Sequence, residues 1–345
     1  MLAPEPVRRR DGRTSLALAG AAILVAGLGL AGWAFTTDVV VTFVRMVLLA
    51  AGILLAITGL GRLFRGLLGR KVDVVFWLGM AWLVLVLGAA LCAPLLPLGN
   101  HDDSVAGLTE PIFARPDLGS SHPFGTNNYG LDVLSRAVYG ARTSILVALL
   151  AVLIGTVVGG LVGMVSGFVR GTTDRVVGIL SNALLAVPPL ILLIALGSVL
   201  EPSVRSIAFA LSLLTIPSMV RLARANTITV AEREFVLAAR ALGAGRVRLL
   251  RREVLPNVVL PVLSLAVVMI SVLVVAEASL SFLGIGIEQP EPTWGNMIAE
   301  GQSGVMEKHP FIVVVPGVCL FLTVFSFNLL GEKAQKRWDP RSAKL

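Results

Sequence analysis

The segment TSILVALLAVLIGTVVGGLVGMVSGF, residues 143–168, contains 26 residues and no charged side chain. A helix needs about 20 apolar residues to cross the hydrocarbon core of a bilayer, so this segment is long enough to span a membrane. Glycine recurs in it at every fourth position from 155, as Gly155, Gly159, Gly163 and Gly167. Because this spacing leaves one row of a helix without side chains, it predicts close packing against another helix.

The whole chain shares this apolar character. Of its 345 residues, 56% are hydrophobic and 14% are charged, and its mean hydropathy is +0.86. Soluble domains carry about 25% charged residues, so this chain has too few charges to cover a soluble globule. Its apolar content also excludes a disordered chain. We therefore predict an all-α integral membrane protein.

Eight apolar runs predict about eight membrane spans. They are residues 16–35, 39–60, 74–98, 143–168, 176–200, 206–220, 254–276 and 311–330. The first run follows Arg8, Arg9 and Arg10, a pattern that also fits a signal peptide. We expect a retained helix instead, because the run is about as long as a full membrane span.

The basic residues predict the orientation. If the N-terminus is cytoplasmic, the inner segments hold 23 of the 29 Lys and Arg residues and the outer segments hold five. This excess is typical of cytoplasmic loops, so we expect both termini in the cytoplasm. It also explains the net charge of +8 without nucleic acid. We divide the chain into residues 1–70, 71–140, 141–331 and 332–345, with a cytoplasmic loop at 221–256.

That loop contains EREFVLAARALGAGRVRLLRREVLP, residues 232–256. The pattern predicts a helix, a turn marked by Gly243 and Gly245, and a second helix, with Pro256 starting the next span. The apolar face of the first helix has i, i+3, i+4 spacing and comprises Phe235, Leu237 or Ala238, Ala239 and Leu242. Such a face suits either an anionic lipid surface or a groove in a cytoplasmic partner. The small side chains on this face favour the partner.

One carboxylate lies within a predicted span. Glu277 is near the outer end of the seventh run, where an ionisable residue is a candidate for a translocation pathway. Alternatively, it lies at the water boundary, where Ser279 or Ser281 satisfies it. The sequence has no catalytic constellation, no metal-ligand spacing among its two cysteines and three histidines, and no GxxxxGK[ST] phosphate loop. If ATP drives transport here, another chain must hydrolyse it.

The loop resembles the cytoplasmic "EAA" loop of bacterial ABC importer permeases. Ala238-Ala239, Gly243 and Leu255-Pro256 match its pattern, whereas Leu237 replaces the usual Glu and Glu253 the usual Ile. Four further segments are similar to the C-type permeases of dipeptide and oligopeptide importers. These are HPFGTNNYGLDVLSRAVYGAR (122–142), GTTDRVVGILSNALLAVPPL (171–190), EASLSFLGIGIEQPEPTWGNMI (277–298) and FNLLGEKAQKRWDP (327–340).

The resemblance implies a six-helix type I permease core in the bacterial cytoplasmic membrane, to which residues 16–60 add two helices. It implies a second, related permease, two ATPase subunits that bind ATP and Mg, an extracytoplasmic binding protein and a peptide substrate. This chain would then be non-catalytic and bind no cofactor itself, and it would contact membrane lipid. The residues expected to couple it to an ATPase are Phe235, Leu237, Ala238, Ala239, Arg240, Leu242, Gly243, Leu255 and Pro256.

Three alternatives stay open at the level of sequence. An ion-coupled secondary transporter would need several intramembrane ionisable residues, and Glu277 is the one candidate. An integral-membrane enzyme would need a nucleophile, metal or carboxylate pair near a membrane face. A scaffold or receptor subunit is permitted by the long basic loop, although the family resemblance does not favour it. A complex of the same importer type could also carry nickel or haem instead of peptides.

Overall fold

The computed structural model describes residues 8–36, 42–68, 73–117 and 119–338. Within these residues the structure is helical, with no β-strand and one isolated bridge between Thr126 and Asp132. The helices are α1 (Arg8–Thr36), α2 (Thr42–Leu68), α3 (Val74–Cys92), α4 (Ser104–Gly107), α5 (Val133–Val169), α6 (Gly171–Ala186), α7 (Pro189–Gly197), α8 (Val204–Ala231), α9 (Glu234–Ala241), α10 (Arg246–Leu249), α11 (Leu255–Phe282), α12 (Trp294–Ala299), α13 (Val305–Lys308) and α14 (Phe311–Trp338). A 3₁₀ turn spans Ala93–Leu95, and a π-helical segment spans Leu250–Val254.

The residues up to Leu78 form one compact unit. Its main element is a hairpin of α1 and α2, which we call the N-terminal hairpin. Five glycines line the contact between the two helices, and a Cβ atom on any of them would lie less than 3 Å from the opposite helix. They are Gly20 and Gly27 on α1 and Gly52, Gly59 and Gly66 on α2. The two backbones are therefore in direct contact along most of the hairpin.

The residues from Gly79 onward form the second unit. Its centre is the pair α5 and α8, and α11 packs against both of them and against α14. Helices α5, α8 and α11 each contribute a fully buried side chain to this centre, namely Val147, Leu211 and Val274. Side-chain caps fix several helix starts: the Asp132 carboxylate accepts the Ser135 N–H at the start of α5, and the Ser203 hydroxyl accepts the Ser206 N–H at the start of α8.

Six helices of the described residues are long and apolar enough to cross a membrane, and a seventh span results if α6 and α7 count as one. These segments overlap seven of the eight predicted runs. The remaining run, 39–60, is helical from Thr42 but begins outside the described residues, so the count of eight stays a prediction. The tail predicted from residue 332 is helical as far as Trp338.

Prolines shape two of these spans differently. Pro188 and Pro189 separate α6 from α7, and the two helices meet at an angle of 86°. Proline has no N–H to donate, which breaks the helical ladder there. Pro256 is the second residue of α11, the span that it was predicted to start, and the helical backbone continues unbroken from the preceding segment into α11. That preceding segment, Leu250–Val254, is π-helical, which shifts the hydrogen-bond register before Pro256.

Candidate functional site

The predicted glycine row lies against α8. A Cβ atom on Gly155, Gly159, Gly163 or Gly167 would be no more than 2.8 Å from an atom of that helix. The atoms nearest to the last three glycines are carbonyl oxygens of the α8 backbone. The row thus permits α5 and α8 to pack backbone to backbone.

Gly163 and Gly160 provide a matched pair for testing this contact. A Cβ atom at Gly163 would collide with the Val220 carbonyl, whereas at Gly160 its first neighbour is Val262 Cγ1 at 3.8 Å. We expect Gly163→Ala to destabilise the protein by about 1–3 kcal/mol, as overpacking of a close-packed interior does. Gly160→Ala should leave stability nearly unchanged. Thermal unfolding of both variants in detergent measures the difference, and equal midpoints would contradict it.

The C-terminal end of α8 leads into the loop that contains α9. Glu232, which ends α8, accepts a hydrogen bond of 2.6 Å from Arg170 Nη2 at the end of α5. Val236 of α9 is fully buried, as is Val254 of the π-helical segment, and Leu249 of α10 is 1% exposed. These three apolar side chains are thus shielded from solvent, and Val254 belongs to the hydrophobic core of the second unit.

The predicted glycine turn is present after α9. Gly243 has a φ angle of +82°, in the left-handed region that favours glycine. Its N–H donates to the Arg240 carbonyl, and the Ala244 N–H donates to the Ala239 carbonyl. These two bonds form a Schellman motif, which ends α9 and turns the chain towards α10.

A set of apolar side chains on this loop remains exposed; we call it the α9 surface. Its members are Phe235 (43% exposed), Leu237 (48%), Leu242 (89%) and Val247 (69%). Ala238 and Arg240 are exposed beside them, Ala239 and Leu255 are half-buried, and Pro256 is exposed on the first turn of α11. The structure thus places most of the predicted coupling residues on one exposed loop.

Val236 was not among the residues predicted for the apolar face of α9. That predicted face is exposed apart from half-buried Ala239, whereas Val236 is fully buried. Helix α9 has only eight residues, and apolar side chains occur around most of its circumference. Periodicity therefore could not decide which side faces the core.

At the other end of α5, a buried ion pair holds the loop before α14. Arg136 Nη2 donates to Glu300 Oε1 at 2.5 Å, and the two side chains are 1% and 3% exposed. Arg136 Nη1 also donates to the carbonyls of His101 and Pro290, and Asn127 Nδ2 donates to Glu300 Oε2 at 3.0 Å. Three further residues, His101, Asn127 and Pro290, therefore bond to one buried pair.

Arg136 is one of the five basic residues that the sequence assigns to the outer segments. Basic residues are few on that side, so its position was a reason to expect a local partner. Burial raises the pKa of Glu300 above its ordinary value, although Arg136 and Asn127 act against this shift.

Two histidines lie near this pair. Burial opposes the charged form of His122, but hydrogen bonds from its ring to Asp132 and Glu110, at 3.0 and 3.2 Å, outweigh it and raise its pKa. Burial lowers the pKa of His101, whose ring stacks on Tyr139 with centroids 3.6 Å apart. His101 and Tyr139 line a cavity of about 590 Å³.

That cavity also carries charges of both signs, since Arg142, Glu288 and Glu291 line it. Among the described residues, no group of three or more His, Cys, Asp or Glu side chains has the arrangement of a metal site.

Glu277 lies inside the protein near this end. Its side chain is fully buried, and its Oε1 accepts a hydrogen bond of 2.7 Å from Ser281. The Ser279 hydroxyl bonds the Val275 carbonyl instead. Ser281 is thus a partner of Glu277, as the alternative expected, but Oε2 has no hydrogen-bond partner among the described residues and the side chain is not at a water boundary. Glu277 is not among the residues lining the 590 Å³ cavity, and its role in a pathway stays a prediction.

Several known proteins are similar to this chain in sequence. The family described as "Binding-protein-dependent transport system inner membrane component" matches residues 159–343. A probable peptide ABC transporter permease protein of Sinorhizobium fredii is 37% identical over 254 residues, which are 74% of this chain and 86% of that protein. The dipeptide transport system permease protein DppC of Haemophilus influenzae is 32% identical over 265 residues (76% and 90%).

A putative peptide transport system permease protein of Brucella suis is 31% identical over 266 residues, which are 77% of this chain and 88% of that protein. The match covers more than half of the chain, including α8 to α12 and the loop with the glycine turn. The chain therefore belongs to the family of inner membrane components of binding-protein-dependent transport systems, and it is a multi-pass permease.

Proposed function

We propose that this permease forms half of the translocation path of an ATP-driven importer of dipeptides or oligopeptides. A second, related permease would complete the path, two ATPase subunits would bind the cytoplasmic side, and an extracytoplasmic binding protein would deliver the peptide. The chain itself holds no ATP site and performs no hydrolysis. Each of the three relatives described above is named as a peptide or dipeptide permease, which supports peptides as the cargo.

The α9 surface is the observation that carries this proposal. Four apolar side chains of one short segment are exposed, three on or at the end of α9 and Val247 on α10, and exposed apolar surface of this kind marks protein contacts. The loop around it is strongly basic, which supports a cytoplasmic position under the positive-inside rule. We therefore assign the α9 surface to contact with an ATPase subunit.

The anchors suggest how movement would pass into the membrane. Val236 of α9 is buried, Val254 belongs to the hydrophobic core, and the π-helical segment Leu250–Val254 joins the loop directly to α11. A displacement of α9 by closing ATPase subunits would therefore act on α11, which packs against α5, α8 and α14. Such a contact biases a two-state equilibrium between inward- and outward-facing arrangements.

Purification of the tagged chain from its native membrane in mild detergent tests the proposal. We expect intact-mass analysis to show a second permease and ATPase subunits in stoichiometric amounts, and we expect cells lacking the chain to lose uptake of a labelled dipeptide. A chain recovered alone in several mild detergents, with dipeptide uptake unchanged in its absence, would contradict the assignment.

A further inference from the structure

The N-terminal hairpin, which the proposed transport function does not use, ends beside a polar cavity. This cavity of about 430 Å³ lies between the last turns of α2 and the first turn of α3, within the first compact unit. Its volume falls in the range of about 300–1,000 Å³ that is usual for small-molecule sites. Thr58, Arg62, Arg65 and Asp73 form its polar wall, and Ile57, Val74 and Val75 form its apolar wall.

The two arginines are available to a ligand. Arg62 and Arg65 are three residues apart on α2, so their side chains project from the same face. Both are exposed, and neither guanidinium has an ion pair or hydrogen bond with another described residue. The carboxylate of the cavity, Asp73, accepts the Phe76 N–H at the start of α3. The cavity therefore presents more positive than negative charge.

An exposed tryptophan indicates the level of this cavity in the membrane. Trp77, in the first turn of α3 beside Val74 and Val75, is 62% exposed. Exposed tryptophans of membrane proteins concentrate at the boundary between headgroups and hydrocarbon. Trp77 thus indicates that the cavity lies near this boundary.

We propose that this cavity binds the headgroup of an anionic glycerophospholipid, with the lipid phosphate between Arg62 and Arg65. A headgroup hydroxyl would donate to Asp73, and the first carbons of the acyl chains would lie against Ile57, Val74 and Val75. The apolar wall favours a lipid over free phosphate, which has no apolar part. Under the orientation proposed above, the lipid belongs to the cytoplasmic leaflet.

The glycine contacts of the hairpin support a preformed site. Gly59 and Gly66, on either side of Arg62 and Arg65, both lie against the α1 backbone. Helix α2 is thus held in place through the turns that carry both arginines. Less ordering is then required when the lipid binds.

Native mass spectrometry of the full-length protein, titrated with phosphatidylglycerol, tests the site. We expect Arg62→Gln/Arg65→Gln to lose one tightly bound lipid, with affinity lower by about fivefold per arginine, or about thirtyfold for both. Arg175→Gln/Arg251→Gln removes the same charge from exposed positions outside the cavity and should keep that lipid. Arg62→Lys/Arg65→Lys keeps both charges and should bind more tightly than the Gln pair.

Two further measurements on the unmodified protein identify the ligand. Phosphatidylcholine, which has the phosphate but no headgroup hydroxyl, should bind more weakly than phosphatidylglycerol, and millimolar inorganic phosphate should not displace the lipid. Equal lipid binding by the two Gln variants would overturn the proposal. Equal binding of both lipids, or displacement by phosphate, would also overturn it, the latter in favour of a free phosphate site. None of these results depends on transport, so the proposed function could fail without affecting them.

Discussion

A chain with Leu242→Asp is expected to fold and reach the membrane but to lose most peptide uptake. Leu242 is the most exposed member of the α9 surface, at 89%. A charge there leaves the protein interior intact but opposes the apolar contact proposed with an ATPase subunit. Central interface residues contribute about 2 kcal/mol or more, so association with the ATPase should weaken by about thirtyfold or more. Copurification of ATPase subunits and uptake of a labelled dipeptide measure the effect.

Leu108→Asp is the matched control for this variant. Leu108 is 79% exposed and follows α4, in a part of the chain predicted to lie on the outer side. Both variants replace a highly exposed leucine by Asp, but Leu108 lies outside the α9 surface. We expect Leu108→Asp to retain its ATPase subunits. If Leu242→Asp also retained them and transported normally, the docking role of the α9 surface would be wrong.

Loss of the buried ion pair should have the largest effect on stability. Glu300→Ala leaves the Arg136 guanidinium buried at 1% exposure without its carboxylate. Breaking a buried pair in this way costs about 3–5 kcal/mol, because the remaining charge is neither solvated nor paired. We therefore expect a large fall in thermal unfolding midpoint in detergent and faster proteolysis of the segment between α11 and α14.

Two further variants distinguish the loss of the buried ion pair from the general effect of removing a carboxylate. The Lys336–Glu332 pair on α14 is exposed, at 73% and 57%, so Glu332→Ala should change stability by less than about 1 kcal/mol. Arg136→Met/Glu300→Leu removes both buried charges and should recover much of the stability lost by Glu300→Ala. Equal effects of Glu300→Ala and Glu332→Ala would show that burial of the pair contributes nothing.

The helical architecture could be predicted because apolar composition and glycine have local structural consequences. An uncharged run of sufficient length forms a helix in lipid whatever its neighbours are. The row from Gly155 to Gly167 shows on the sequence as a fixed spacing, and so predicts a close contact without naming the partner helix. Gly243 likewise marks a turn by its own backbone freedom.

The contacts between distant segments could not be predicted in this way. Arg136 and Glu300 are separated by 164 positions, and nothing in either local pattern indicates the other. Glu277 looked like a residue near the water boundary because its position in the run was known but the segments around it were not. The side of α9 that faces the core and the continuous helix through Pro256 also depend on tertiary packing.

The glycine contacts of the N-terminal hairpin also have a consequence for the order of events during synthesis. Chains emerge N-terminus first, at about 5–20 residues per second, and early units fold while later ones are still being made. Gly20, Gly27 and Gly59 bring α1 and α2 together through contacts that α1 and α2 supply themselves. The contact between α1 and α2 can therefore form while the ribosome is still translating α5, and its closure does not depend on any later helix.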